Sequence, residues 1–141
     1  MSLQRDYILR LVEQLREFLS QITRLRQVNR PDDALVAIVQ AQEQLFACPA
    51  AQFTSLLPDA QFHMLVLGEK PEQARAKILL QSDLLAETAR IYDDKDQLAL
   101  SQGARYFALE LLQLAAAQYP DPVFDAPIAA FRRELATARP R

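Results

Sequence analysis

Two glycines, one cysteine, one histidine and no tryptophan stand among the 141 residues of this chain. Each scarcity closes off some chemistry. Phosphate-cradling loops need several backbone positions free of a Cβ, and two glycines do not furnish them. A lone cysteine allows no disulfide framework, and a lone histidine leaves out the usual zinc sites and any histidine pair. Neither a metal nor an organic cofactor is expected. No apolar run approaches the roughly 20 residues that a bilayer span requires. Met1 to Arg10 holds two arginines and one aspartate, with no apolar stretch of a secretory signal. The chain is therefore expected to be soluble and cytoplasmic. Sixteen basic residues against eighteen acidic ones leave a net charge of -2, which gives no global pull towards polyanions. What abounds is apolar: 50% of the residues, enough for one core in a single domain over 1–141.

Proline is also abundant. Eight of them, at 31, 49, 58, 71, 120, 122, 127 and 140, cut the chain into pieces of helical length, and no strand-like alternation lies between them. Ile8, Leu11, Val12, Leu15, Phe18, Leu19, Ile22 and Leu25 form an apolar stripe, which predicts a helix over about 5–28, roughly 36 Å long. Asn29 suits a left-handed cap and Pro31 the first turn of the next helix. That helix, about 31–46, opens with Asp32 and Asp33 and turns Ala34, Leu35, Ile38, Ala41 and Leu45 inward. Residues 50–67 read as one or two short helices closed by Gly68. Pro71 starts a long helix to about Asp93 that buries Ala74, Ile78, Leu85, Ala89 and Tyr92. After the acidic turn Asp93-Asp94-Lys95-Asp96, a helix over about 96–118 is apolar almost all round between Tyr106 and Ala117, which places it at the centre. A last helix, about 126–138, takes Asp125 as N-cap and turns Phe124, Ile128, Phe131 and Leu135 inward. The tail Arg139-Pro140-Arg141 is expected to fray. The fold class is all-α: one domain of five to seven antiparallel helices.

The stretch Leu85–Leu111 resembles a tetratricopeptide repeat. Ala108-Leu109-Glu110-Leu111 matches that family's typical ending. Ala89 then falls on the small position of the first helix, Tyr92 on its aromatic position, Asp96 on the turn glycine and Ser101 on the small residue that opens the second helix. Thr88 and Arg105 depart from the pattern. A fainter copy sets Phe18, Leu25, Asn29, Ala34, Ile38 and Ala41 on equivalent positions, about two 34-residue periods earlier. Pro71 breaks the unit between them. The resemblance implies helical hairpins at about 5–46 and 71–118. It also implies a peptide-binding surface lined by first helices, with Arg90 and Asp93 on the matching positions. Through Arg5-Asp6-Tyr7-Ile8-Leu9-Arg10 and Ile91 to Asp96, the chain also resembles an all-helical bacterial family of unknown function, which implies the fold and no activity.

Residues able to do chemistry are few. His63, in the run Phe62-His63-Met64-Leu65, is four residues from Asp59, which could orient it as a general base, yet no nucleophile motif is near. Cys48 ends a helix, where the macrodipole disfavours a thiolate, so it reads as a small apolar residue. Asp93, Asp94 and Asp96 offer hard oxygens to a divalent cation but lack the glycine and distant glutamate of a calcium loop. Arginines 5, 10, 16, 24, 26 and 30 give the first thirty residues a local excess of positive charge, which could attract nucleic acid or anionic lipid. Asp6, Glu13 and Glu17 interrupt it, so a solvated face is the expectation, with neither nucleic acid nor membrane as partner. Leu11, Phe18 and Leu25 lie on a stripe long enough to pair with a second copy of the first helix. The function expected from these residues is a non-enzymatic scaffold that binds another protein or itself. The alternatives are a small helical enzyme or metal-binding protein built on His63 or the Asp93, Asp94 and Asp96 turn, and a nucleic-acid or membrane-surface binder acting through the arginine-bearing first helix.

Overall fold

A computed structural model describes the backbone of residues 3–137 and the side chains of residues 6–137. The Arg139-Pro140-Arg141 tail and the side chain of Arg5 lie outside the described residues. The order is α1 (Leu3–Gln27), α2 (Pro31–Phe46), α3 (Pro58–Val66), α4 (Pro71–Asp94), α5 (Leu98–Gln118) and α6 (Asp125–Thr137). Short 3-10 turns at Ala50–Gln52 and Pro122–Phe124 precede α3 and α6. Among the described residues there is no strand.

The boundaries follow from local chemistry. Pro31, Pro58 and Pro71 each open a helix at the position where a missing N–H costs nothing. Asn29 (φ 59°) and Asp96 (φ 57°) are left-handed, a conformation that Asn and Asp tolerate better than other residues with a Cβ. At these two turns Arg30 N donates to Leu25 O (2.9 Å) and Gln97 N to Tyr92 O (2.8 Å). Each bond satisfies a carbonyl that the helix end leaves free. Gly68 closes α3 at φ 77°, where an L side chain would be strained. Ala47, after α2, also sits at φ 58°. Ala47→Gly should therefore raise stability by about 0.5–1 kcal/mol, measurable as a shifted urea midpoint with unchanged slope. One capping expectation is corrected. Asp125 is already helical, and the capping carboxylate is that of Asp121, which accepts from Val123 N at 2.8 Å.

Two antiparallel hairpins, α1/α2 and α4/α5, form the frame. α4 packs against α1, α2, α3 and α5, while α5 packs against α3, α4 and α6. The helix touching most others is thus α4. Although apolar in composition, α5 leaves Leu98, Leu100 and Tyr106 exposed. Where α4 and α5 meet, Ala89, Ser101 and Ala108 are fully buried, and residues this small let two helices approach closely. The stripe of α1 is spent inside the chain: Ile8, Leu11, Leu15 and Ile22 are buried, and Phe18 and Leu25 are half-buried against the same core. Phe46 and Phe53 stack with centroids 4.3 Å apart and close the end near α3. In α4 the pattern differs from expectation. Leu85 and Tyr92 are only half-buried, and Gln81, Leu84 and Ile91 take the core positions instead.

Candidate functional site

α2 and α5 both pack on α4 but make almost no contact with each other. Between them lies a cleft of about 410 Å³. Its floor is the stripe Gln81, Leu85, Thr88 and Tyr92 of α4, its α5 wall is Leu100, Gly103, Ala104 and Phe107, and Gln42 reaches it from α2. Phe53 and Gln61 close the end next to α3. Residues spaced by three and four along a helix share one side, which is why α4 and α5 each present a single stripe to the cleft, while α2 and α3 give it one residue each, Gln42 and Gln61.

The polar part of the cleft is a chain of side-chain amides. Gln42 Nε2 donates to Gln81 Oε1 (3.3 Å), Gln81 Nε2 to Gln61 Oε1 (3.1 Å), and Gln61 Nε2 to the backbone carbonyl of Phe53 (3.0 Å). Gln81 is 0% exposed and Gln42 8%. Buried amides cost free energy unless partnered, and here each donates to the next, tying α2, α4 and α3 to the Phe53 turn. All three amides point the same way, so each donated bond makes that amide's own oxygen a better acceptor. The chain ends at Gln42 Oε1, which takes no hydrogen bond from the described residues. That oxygen is available to a guest.

A larger depression, about 600 Å³, lies between the start of α1 and the end of α2, beside Arg10, Leu11, Glu43 and Cys48. Its polar side chains are exposed or half-buried, and Glu43 Oε2 is engaged by Ala50 N at 2.9 Å. The buried polar chemistry therefore belongs to the smaller cleft.

Arg90 and Asp93 do not line that cleft. Arg90 is bound to Glu87, a buried carboxylate that also receives Thr23 Oγ1 and Arg26 Nη1, each at 3.4 Å. Asp93 is held bidentately by Arg105, at 2.5 and 3.2 Å, and Arg105 reaches Glu134 of α6 with Nε at 2.8 Å. The Arg105 hydrogen bonds hold the Asp93 carboxyl below the usual carboxylate range, and Asp93 raises the Arg105 guanidinium in turn. Asp94 turns the other way and accepts from Arg26 Nε at 3.1 Å. Asp93, Asp94 and Asp96 thus do not converge, and among the described residues no three His, Cys, Asp or Glu side chains gather as a metal site requires. His63 is exposed, and Asp59 bonds Ala60 N rather than the imidazole. Cys48 is half-buried. Leu11, Phe18 and Leu25 belong to the core or its edge. In the arginine series, Arg30 pairs with Asp33 at 2.6 Å and Arg26 with Glu87 and Asp94, while Arg10, Arg16 and Arg24 are exposed. No described helix is long and apolar enough to cross a membrane.

Comparison with protein-family models, with curated proteins and with solved structures finds no match for this chain. The site therefore rests on its own geometry.

Sequence reasoning missed Gln42, Gln61 and Gln81. A signal existed: Gln81 falls on the inward side of α4 between Ile78 and Leu84, and Gln42 directly follows Ala41 on the inward side of α2. A polar amide at a core position invites the question of its partner.

Proposed function

We propose that this chain is a non-enzymatic helical scaffold that holds a segment of another protein in the cleft between α2 and α5. The observation that carries the reading is the buried amide chain ending on an open acceptor in a mostly apolar cleft. Leu85, Leu100 and Phe107 would receive apolar side chains, and Gln42 Oε1 would fix their register. A cleft near 400 Å³ falls in the usual range of binding sites. The tetratricopeptide-like register of 85–111 supports the same reading. Asp96 has the left-handed geometry of the turn glycine that it replaces, and Ala89 and Ala108 lie where the hairpin closes. The cleft, however, opens beside the second helix of each hairpin, so the family's first-helix positions are not carried over.

The test places a photo-crosslinking amino acid at Leu100, which is 52% exposed on the cleft wall, and separately at Leu67, exposed after α3. A recurrent protein adduct is expected from position 100 and not from 67, and Gly103→Leu should abolish it by filling the wall. Equal adducts from both positions, or an adduct indifferent to Gly103→Leu, would overturn the reading.

Gly103 gives a smaller prediction of its own. It sits inside α5, away from both ends, and a Cβ built on it meets nothing within 4 Å. Gly103→Ala should stabilise the free protein by about 0.5–1 kcal/mol, seen as a melting point raised by a few degrees.

A further inference from the structure

The buried amides decide what kind of group the cleft accepts. We infer that its guest anchors through the indole of a tryptophan, with the ring against the apolar lining and the ring N–H on Gln42 Oε1; this rests on the cleft being the binding site.

The direction of the amide chain is fixed at its inner end. Gln61 meets the backbone carbonyl of Phe53 at 3.0 Å, and a carbonyl can only accept. Gln61 must therefore turn its NH2 there and its oxygen towards Gln81. Gln81 in turn must donate to Gln61 (3.1 Å) and offer its own oxygen to Gln42 (3.3 Å). Turning any one amide round would set two acceptors or two donors against each other. Gln42 is left with Oε1 as the open end. The residue is 8% exposed and lines the cleft, so few waters serve that oxygen once the cleft is filled. A guest that brings no donor leaves it unpaired, which is unfavourable.

The donor must also be neutral. Among the described residues that line the cleft, none is charged. Beyond Tyr92, Lys95 pairs with Asp32 at 2.6 Å, so these two ions answer each other. An ammonium or guanidinium on the guest would enter without a partner, and burial penalises that heavily. The rest of the space is bounded by Leu85, Leu100 and Phe107, which favour a large apolar group. Hydroxyl and amide side chains are polar at their tips and bring acceptors of their own that need partners. Indole is the one neutral side chain that joins a single donor, no acceptor and a broad apolar surface.

The α5 wall suits a flat ring. Between Leu100 and Phe107 its cleft-facing residues are Gly103 and Ala104, which leave a shallow recess. Glycine inside a helix is destabilising relative to alanine, and a Cβ at Gly103 would meet nothing within 4 Å. The chain's own packing gives no reason for that glycine, whereas a guest pressed against α5 does. The 141 residues contain no tryptophan. A second copy of them therefore cannot supply the anchor, and indole fluorescence reports the guest alone.

The experiment follows the emission of two model helices that share one leucine stripe. One carries a single tryptophan, the other 1-methyltryptophan, which keeps the ring and blocks its N–H. Each is titrated with the full chain. The tryptophan helix should bind at least about tenfold tighter, with its emission moved to shorter wavelength as the indole leaves water. A third helix with tyrosine in that place should compete more weakly than the tryptophan helix. Gln42→Leu, checked for folding by its melting curve, should bring the first two helices within about twofold of each other by weakening the tryptophan helix alone. Gly103→Leu should abolish binding of both while its melting point stays equal or rises. Equal binding of the two helices by the natural chain, still blocked by Gly103→Leu, overturns the donor inference and leaves the cleft reading standing; this comparison needs no variant of Gln42. A preference for tryptophan that survives Gln42→Leu undiminished overturns the inference as well, and stronger competition by the tyrosine helix overturns the choice of indole. Binding that ignores Gly103→Leu, or no binding of any helix, overturns both the inference and the cleft reading.

Discussion

Gln81→Leu should lower the stability of the folded chain by about 2–4 kcal/mol, although leucine nearly matches glutamine in volume and is the more apolar of the two. Gln81 is fully buried in α4 and makes two bonds in the amide chain, accepting from Gln42 and donating to Gln61. Leucine removes both and leaves two groups behind. Gln61 Oε1, on a residue that is 5% exposed, loses its partner with little water near it. Gln42 Nε2 loses its acceptor but lies beside the cleft, so water can replace part of that bond. An orphaned buried polar atom costs about 1–3 kcal/mol, and the Gln61 side carries the larger share. The double variant Gln81→Leu with Gln42→Leu supplies the control. It removes the donor orphaned on α2, so the two changes should be non-additive, with a coupling of about 0.5–2 kcal/mol. Urea unfolding with a constant slope measures both variants. A neutral or stabilising Gln81→Leu would mean that the amide chain contributes no stability.

The same three glutamines show where sequence reading stops. Helix ends are legible because their causes are local. Asn29, Gly68 and the prolines at 31, 58 and 71 act through their own backbone, and all five stand at helix boundaries in the structure. The inward side of α1 is legible too, because a stripe of eight apolar residues leaves one solution. The amide chain joins residues 39 and 20 positions apart in sequence, and periodicity holds no information about which helices will be neighbours. Leu85 and Tyr92 illustrate the same limit. Both lie on the apolar stripe of α4, and they remain half-buried because α2 and α5 stay apart above them. Arg105 reads in sequence as a departure from the repeat pattern, and its explanation lies in Glu134 of α6, 29 positions away.

Arg105 is also where acid should act on this fold. Its residue is 6% exposed, and its guanidinium joins Asp93 of α4 to Glu134 of α6 with three hydrogen bonds. Asp93→Asn should cost about 1–3 kcal/mol near neutral pH. A bond to a charged group is worth about 1.5–3 kcal/mol, and the carboxylate's 38% side-chain exposure lets solvent screening discount it. The pH dependence has a definite sign. The folded carboxyl titrates below its ordinary value because Arg105 holds the charged form. As pH falls, the unfolded chain therefore takes up this proton first, near about 4. The stabilisation is fully present above that pH and is lost as pH drops through the lower folded value. Natural chain and Asp93→Asn should thus differ most at neutral pH and converge below about pH 4, when urea midpoints are followed from pH 7 down to pH 2.5. A gap that stays constant over that range would show that the Asn variant weakens the fold through packing alone. A gap that closes places the acid sensitivity of the α4–α5–α6 junction on this one carboxylate.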